Sequence, residues 1–469
     1  MMSSVVAAAL RRLQGIANLE LDETESALAR ASGDFGHISQ GRALAVIRPA
    51  STRSLPEIIA IAREHGAKLT LRGKGLSQSG QAVADQSILV DLSRCDAVST
   101  PDVTKQTIEC EPGATWRAVV AKAAEAGLGP KVAPLNLDLS LGGTLSAGGF
   151  GSTSHRHGVA VSHVAKAEVA LGSGEVVQCG PSDRREVFDA VMGGLGRYGA
   201  IMKVELQLVP VSKKVRTLFL LYESLDTLLK DQQAIATDGR ATHLEAFCSA
   251  SLQGFRRAAG GRRQPLVHWL FGLHIGTGYD DEPPVTEALL RGLSPSKLLH
   301  VDDDAYLEHA ARYDSRFQMM RATGAWDQLH PWFEAMLPAA SAQKVIEQAL
   351  SRLPMFFGDG HRILLLADTD RPASLAFPSS ERVIGFTVLP PGVPDAFREP
   401  ALEALKELDD IVRQAGGRRY PSGWLFRTDP NGWETHYGPS YSTLLQAKRA
   451  FDPDGIFKSR LEVAPAEQH

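Results

Sequence analysis

Between Leu135 and Gly158 the chain reads LNLDLSLGGTLSAGGFGSTSHRHG, a stretch holding six glycines and six serine or threonine residues. Glycine loses more conformational freedom on folding than any other residue, so such clustering needs a physical reason. One reason is a backbone that must approach a ligand closely, its N–H groups turned outward and small hydroxyls adding donors. That is a cradle for a flat, polar, phosphate-bearing molecule. A flexible linker shares this composition, but linkers are flanked by polar sequence. Here Leu135, Leu137, Leu139 and Leu141 alternate into the stretch, and the apolar run Val164–Leu171 leads out of it. The alternation predicts that the stretch sits inside a sheet.

A second glycine-rich loop, Arg72-Gly73-Lys74-Gly75-Leu76-Ser77-Gln78-Ser79-Gly80-Gln81, follows a short expected strand at 68–71. It is not a P-loop, because Gly73-Lys74 is followed by Gly75 rather than Ser or Thr. Nor is it a dinucleotide fingerprint, because its third glycine is misplaced and a strand (87–92) follows instead of a helix. A pyrophosphate nest remains open to it. Gly194-Leu195-Gly196-Arg197-Tyr198-Gly199 does match G-x-G-x-x-G, but a helix (185–192) precedes it and a strand (200–209) follows, so it reads as a turn.

Around these loops the pattern predicts helix up to about Ser32, a strand at 43–48, and a helix from Pro56 capped by Ser54. A strand at 107–110, a helix capped by Thr115 and a hairpin tipped by Gly172-Ser173-Gly174 come next. Beyond about residue 211, helices at 341–352 and 400–415 alternate with strands at 218–221, 267–274, 363–367 and 383–387. This is the pattern of a separate α+β domain with an antiparallel sheet. Residues 436–457 read as one helix and a turn. Asp302-Asp303-Asp304 reads as a helix N-terminus, where negative charge is favourable.

The 469 residues imply two or three domains. A net charge of −4 gives no reason to expect nucleic acid or a membrane surface as partner. The four cysteines lack zinc spacing and fit buried thiols in a reduced, cytoplasmic protein. The N-terminal arginines follow the apolar run, the reverse of a secretory signal, and no apolar run approaches membrane-spanning length.

These landmarks, in this order, resemble the FAD-linked oxidases of the vanillyl-alcohol oxidase type (PCMH-type FAD-binding proteins), closest to the cytokinin dehydrogenase-like members. Asp34-Phe35-Gly36 resembles the family's DFG, and Arg48-Pro49-Ala50-Ser51 its strand-to-helix turn. Arg72 to Gln81 resembles RGHGHSxxGQ, and Gly142-Gly143-Thr144-Leu145-Ser146 is identical to GGTLS. Arg156-His157-Gly158 resembles RHG, Gly193-Gly194-Leu195-Gly196 resembles GGLG, and Ala447-Lys448 through Pro453 resembles the terminal K-x-x-x-D-P. The resemblance implies a two-lobed FAD-binding domain built from both chain ends (1–212 and 425–469) and an α+β substrate domain at 213–424. It places the cofactor against Arg72, Gly73, Lys74, Gly75, Leu76, Ser77 and Gln81, with the backbone of 73–77 on the pyrophosphate. Gly142, Gly143, Thr144, Ser146, Gly149, His157, Gly158 and Ile201 complete the implied FAD site.

Two departures bear on the chemistry. Where relatives carry a histidine bonded covalently to the flavin, this chain has Leu76, and no cysteine stands in 135–141 as a second attachment point. FAD is therefore expected to bind non-covalently. The aspartate that relatives place before the GGT glycines aligns with Leu135, and the second domain's glutamate with Leu270. An apolar pair in place of an acidic pair makes cytokinin an unexpected substrate.

Hydride transfer to a flavin usually needs a base for the O–H or N–H proton. The candidates are His155, Asp138, His268, His274 and His330. His268 and His274 share a strand face, being an even number apart, and His155 and His157 lack a third ligand for a metal. The expected function is an FAD-dependent oxidoreductase acting on a small, fairly apolar alcohol, amine or ring C–H, with oxygen or another electron acceptor. The alternative is an FAD-binding protein whose flavin is structural or supports a non-redox reaction.

Overall fold

The computed structural model describes residues 4–462 except 258–260, 262, 359, 373 and 381. Among them three sheets organise the chain. The first has four strands in the spatial order Leu19–Asp22, Ala43–Pro49, Ser87–Asp91 and Leu69–Arg72. Its first pair is antiparallel and the others parallel. Helix Leu55–Glu64 carries the chain from Ala43–Pro49 to Leu69–Arg72, leaving room between them for Ser87–Asp91, and buries Ile58, Ile59, Ile61 and Ala62.

The second sheet is antiparallel, with Gly199–Pro210 paired to Thr107–Cys110, Val164–Leu171 and Leu128–Pro130, and Val176–Cys179 outside Val164–Leu171. The third is an eight-stranded antiparallel sheet in the order Lys297–Ala305, Lys214–Tyr222, Arg263–Tyr279, His243–Arg257, His361–Leu366, Val383–Val388, Phe333–Pro338 and Arg418–Arg419. Its helices Ala339–Leu350 and Arg398–Gln414 bury Val345, Ile346, Leu405 and Leu408 in one core with Leu337, Ile363 and Phe386. The strands' alternate residues face the other way.

The chain's end returns to the first sheet. Leu69 N–H donates to the Ile456 carbonyl and Lys458 N–H to the Leu69 carbonyl, both at 2.8 Å. The buried Lys448 ammonium donates to the carbonyls of Arg197 (2.8 Å) and Phe457 (3.0 Å) and pairs with Asp452.

Five expectations change. Strand Leu19–Asp22 divides the N-terminal helix into Ser4–Leu13 and Glu25–Ala31, the turn between using Asn18 at a φ of 59°. Ser54 makes no side-chain cap to helix Leu55–Glu64, its hydroxyl donating to the Ser51 carbonyl instead. The leucines of 135–141 form no strand. Leu137, Leu141 and Leu145 are buried four residues apart, and the last two lie on helix Leu141–Ala147. Asp302, Asp303 and Asp304 lie on edge strand Lys297–Ala305, where Asp303 takes Arg216 rather than a helix end. The C-terminal helix is two, Pro430–Tyr437 and Ser440–Phe451, broken at Gly438-Pro439.

Candidate active site

A cleft opens where the two glycine-rich loops face the eight-stranded sheet. Its free space, open mouth included, is about 1640 Å³. One wall is largely backbone. Arg72, Gly73, Lys74, Gly75, Leu76, Ser77 and Gln81 line it, as do Gly142, Gly143, Thr144, Ser146, Gly149 and Ile201.

The loop from Arg72 to Gln81 is held from behind. Arg72 donates to the Arg30 and Gly33 carbonyls at 2.9 Å. Asp34 accepts from the N–H groups of Gly36 (3.1 Å) and Gly80 (2.8 Å), and burial pushes its carboxyl up to about 7. Gln81 accepts from Ser79 N–H and donates to the Pro421 carbonyl. The second stretch is anchored by Trp116, whose indole N–H donates to Thr144 at 2.9 Å. Gly149, at a φ of 80°, donates its N–H to the Tyr420 hydroxyl at 2.7 Å.

The opposite wall is the other face of the sheet, away from helices Ala339–Leu350 and Arg398–Gln414. Register sets Glu334 beside Thr387, and Thr387 beside Arg362. All three line the cleft with Trp332, Leu364 and Leu389. Glu334 is nearly buried and accepts from the Ser422 hydroxyl. Desolvation raises its pKa to about 7, opposed by Ser422 and by the Arg419 and Arg362 charges.

None of the expected bases reaches this space. His155 is buried with Nδ1 3.0 Å from the Ser152 carbonyl and Nε2 3.2 Å from that of Ala241, and burial lowers its pKa to about 4. Asp138 is half exposed and paired with Arg117 at 2.9 Å. Without a strand at 135–139, alternation does not separate the faces: Leu135 and Asn136 both line the cleft, and Asp138 does not. His268 is exposed on strand Arg263–Tyr279. His274 is wedged between Phe219 and Phe247, each ring centroid 4.5 Å away, and burial takes its pKa to about 4. His330 stacks on Phe35 at 4.0 Å.

His157 and Gly158 also stand outside the lining. His157 packs edge-on against His163, and a Cβ on Gly158 would strike Thr369 at 2.1 Å, so this motif fastens the loop to the second half of the chain. The turn at 194–199 leads into its strand as expected, yet Leu195, Gly196 and Gly199 line the cleft as well. Glu334, Thr387 and Arg362 were missed. Glu334 and Arg362 carried a signal, a charge in or at the edge of an apolar strand run, as in Phe333-Glu334-Ala335-Met336 and Arg362-Ile363-Leu364-Leu365; Thr387 carried none.

The family model described as "FAD binding domain" matches residues 43–180, and that described as "Cytokinin dehydrogenase 1, FAD and cytokinin binding" matches 283–460. The chain is an FAD-dependent oxidoreductase similar to the cytokinin dehydrogenases. It is 28% identical to an uncharacterized oxidoreductase, ORF5 in the fasciation locus, of Rhodococcoides fascians, over 91% of this chain and 94% of that one. It is 26% identical to cytokinin dehydrogenase 9 of Oryza sativa subsp. japonica (92% and 87% covered) and to cytokinin dehydrogenase 2 of Arabidopsis thaliana (93% and 92%).

The cleft fits FAD on its own geometry. The Ser77 hydroxyl is buried and has no partner among the described residues, as a donor awaiting phosphate oxygen would be. A Cβ on Gly73 would meet Ser140 Oγ at 2.0 Å. Among the described lining residues there is neither histidine nor cysteine. The described residues hold no group of three or more His, Cys, Asp or Glu suited to a metal, and no helix long and apolar enough to cross a membrane.

Proposed function

We propose that FAD binds this cleft without a covalent bond and that the protein oxidises a small, fairly apolar alcohol, amine or ring C–H substrate, cytokinin not being the preferred one. When bound, the cofactor supplies the acceptor for the substrate's hydride. Glu334 carries this reading: it is the one carboxyl group among the described lining residues, across the cleft from the glycine wall. With a pKa near 7, Glu334 is poised to take the O–H or N–H proton. The Ser422 hydroxyl orients it. Leu135, Phe150, Phe317 and Trp332 keep water from the substrate's apolar part. Oxygen or another acceptor then regenerates the cofactor.

The FAD domain in this reading comprises 1–212 and 425–469 in two lobes, with 213–424 as the substrate domain. The Leu69–Phe457 pairing, the Lys448 bond to the Arg197 carbonyl and the Leu425 N–H bond to Ser79 Oγ (2.7 Å) support it. Leu76, packed beside Phe35 and Phe317, offers no atom for a covalent link. The four free, buried cysteines support a reducing, cytoplasmic setting.

The test is the visible spectrum of the purified protein, repeated after acid precipitation and followed by anaerobic substrate screening. A yellow supernatant, and bleaching by an alcohol or amine, are expected. A yellow pellet would overturn the non-covalent reading. Failure of every substrate to bleach a bound flavin would leave a structural cofactor.

A further inference from the structure

Arg362 is unused in that reaction, and its position is costly. The residue is 8% exposed, its side chain lines the cleft, and among the described residues it has no hydrogen bond or ion pair. The guanidinium is held by rings instead, 4.2 Å from the Tyr313 centroid and 5.3 Å from that of Phe247. The Glu245 charge is felt by Arg362 through space, but Glu245 makes its ion pair with Arg312 and no hydrogen bond to Arg362. Beside Arg362 on the next strand, the Thr387 hydroxyl is buried and has no partner either. A desolvated cation and a desolvated hydroxyl, adjacent and facing the same space, both call for an acceptor. Arginine's planar fork matches a carboxylate with two parallel bonds, and ring stacking fixes the plane of that fork beforehand.

We infer that Arg362 and Thr387 form a carboxylate subsite, so that the substrate is a small hydroxy or amino acid. This rests on the proposed oxidation. Arg362 grips the acid group, Thr387 donates to one of its oxygens, and Glu334 meets the oxidisable C–OH or C–NH end. Neighbouring strands lie roughly 4.8 Å apart, and Thr387 separates the other two by one strand on each side. The long side chains of Glu334 and Arg362 reach into that interval, so one compact molecule can engage both. A neutral substrate with no acceptor there would leave the Arg362 N–H fork without a hydrogen-bond partner.

Benzoate and its neutral isostere benzamide are the probes, titrated by calorimetry into the flavin-containing protein and into R362Q and T387V. Benzoate is expected to bind and benzamide to bind at least about 10-fold more weakly. R362Q should weaken benzoate about 100-fold or more, and T387V about 10-fold, with flavin content unchanged in both. R362K, which keeps the charge and loses the fork, should fall between wild type and R362Q. Equal binding of the two probes, or none of either, overturns the inference. So does loss of flavin from R362Q while its melting temperature holds, because Arg362 would then serve the cofactor. Bleaching of the flavin by a neutral alcohol without benzoate binding would sink the subsite and leave the oxidation standing. A protein that cannot retain FAD but binds benzoate through Arg362 would do the reverse.

Discussion

The two walls of the cleft solve the same problem by opposite means. The glycine-rich wall presents backbone: Gly73, Gly75, Gly142 and Gly143 line it with no side chain to fill the space, and several supporting side chains act from behind, as Arg72, Asp34 and Trp116 do. The sheet wall presents side chains on a rigid lattice: Glu334, Thr387 and Arg362 come from three strands, and their spacing is the spacing of the sheet. A backbone wall suits a ligand that is always the same, since nothing in it can be exchanged without changing the fold. A side-chain wall can change one residue at a time while the strands stay put. The first is therefore the expected place for the cofactor and the second for whatever distinguishes this chain's substrate.

The sharpest way to break this division is to fill the backbone wall without disturbing the fold. Gly143 is the position for it. A Cβ there would meet only the Ser140 hydroxyl, at 2.8 Å, and that hydroxyl can rotate away, whereas at Gly142 it would press on Pro112 at 2.6 Å. Gly143→Leu should lower FAD content at least about 10-fold, since a side chain occupies the space left for the ligand. The melting temperature of the flavin-free protein should move by only about 2 °C. Unchanged flavin content would show that the cofactor does not lie along this wall.

That asymmetry also governs what was legible in the sequence. Glycines 73, 75, 142, 143 and 149 stand within two short segments, so local spacing alone announces a cradle. The apolar runs at 218–221, 363–367 and 383–387 announced strands for the same reason; the first and last lie within observed strands, and 363–367 overruns His361–Leu366 by one residue. Glu334, Arg362 and Thr387 are separated by more than twenty residues each, and only antiparallel register brings them together. No local pattern encodes register between distant strands. The histidines misled because histidine is read as chemistry wherever it occurs, while His155 is buried against backbone carbonyls and His274, half-buried, is packed between aromatic rings. The alternating leucines misled because a spacing of two over four residues also contains a spacing of four, and Leu137, Leu141 and Leu145 used the second.

The sheet wall is tested next by Glu334→Gln. The amide keeps the shape and loses the base, so flavin reduction should slow by roughly 10²- to 10⁴-fold, with flavin content retained. In the wild type the rate should rise with pH through about 7, where Glu334 ionises, and Glu334→Gln should flatten that rise. Stability runs the other way. The folded-state pKa is raised above the unfolded value, so between the ordinary carboxylate range and about pH 7 the folded protein holds the extra proton. The group's contribution is fully present below that window and is lost as pH rises through it, by about 1.4 kcal/mol for each pH unit. Asp34, also raised to about 7 by burial, adds a slope of the same sign. Only the Glu334 part should vanish in the Gln variant. A rate profile that keeps its rise in Glu334→Gln would remove Glu334 as the base.

The smallest expected effect comes from the acidic residue that the sequence favoured. Asp138 is 43% exposed, and its partner Arg117 is shared with Asp314 at 2.9 Å. An exposed pair of this kind contributes less than about 1 kcal/mol, and Arg117 keeps its second carboxylate when the first is removed. Asp138→Asn should therefore shift the urea midpoint only slightly and leave both flavin content and the rate of flavin reduction at the wild-type level. The contrast with Glu334→Gln is the informative part. Both changes remove one carboxylate charge from a residue near the flavin loop or its facing sheet, and they differ in whether that carboxylate faces the cleft. If Asp138→Asn slowed reduction as much as Glu334→Gln did, position in the cleft would not be what matters. The base would then have to be sought on the glycine wall, beside Asn136, rather than on the sheet.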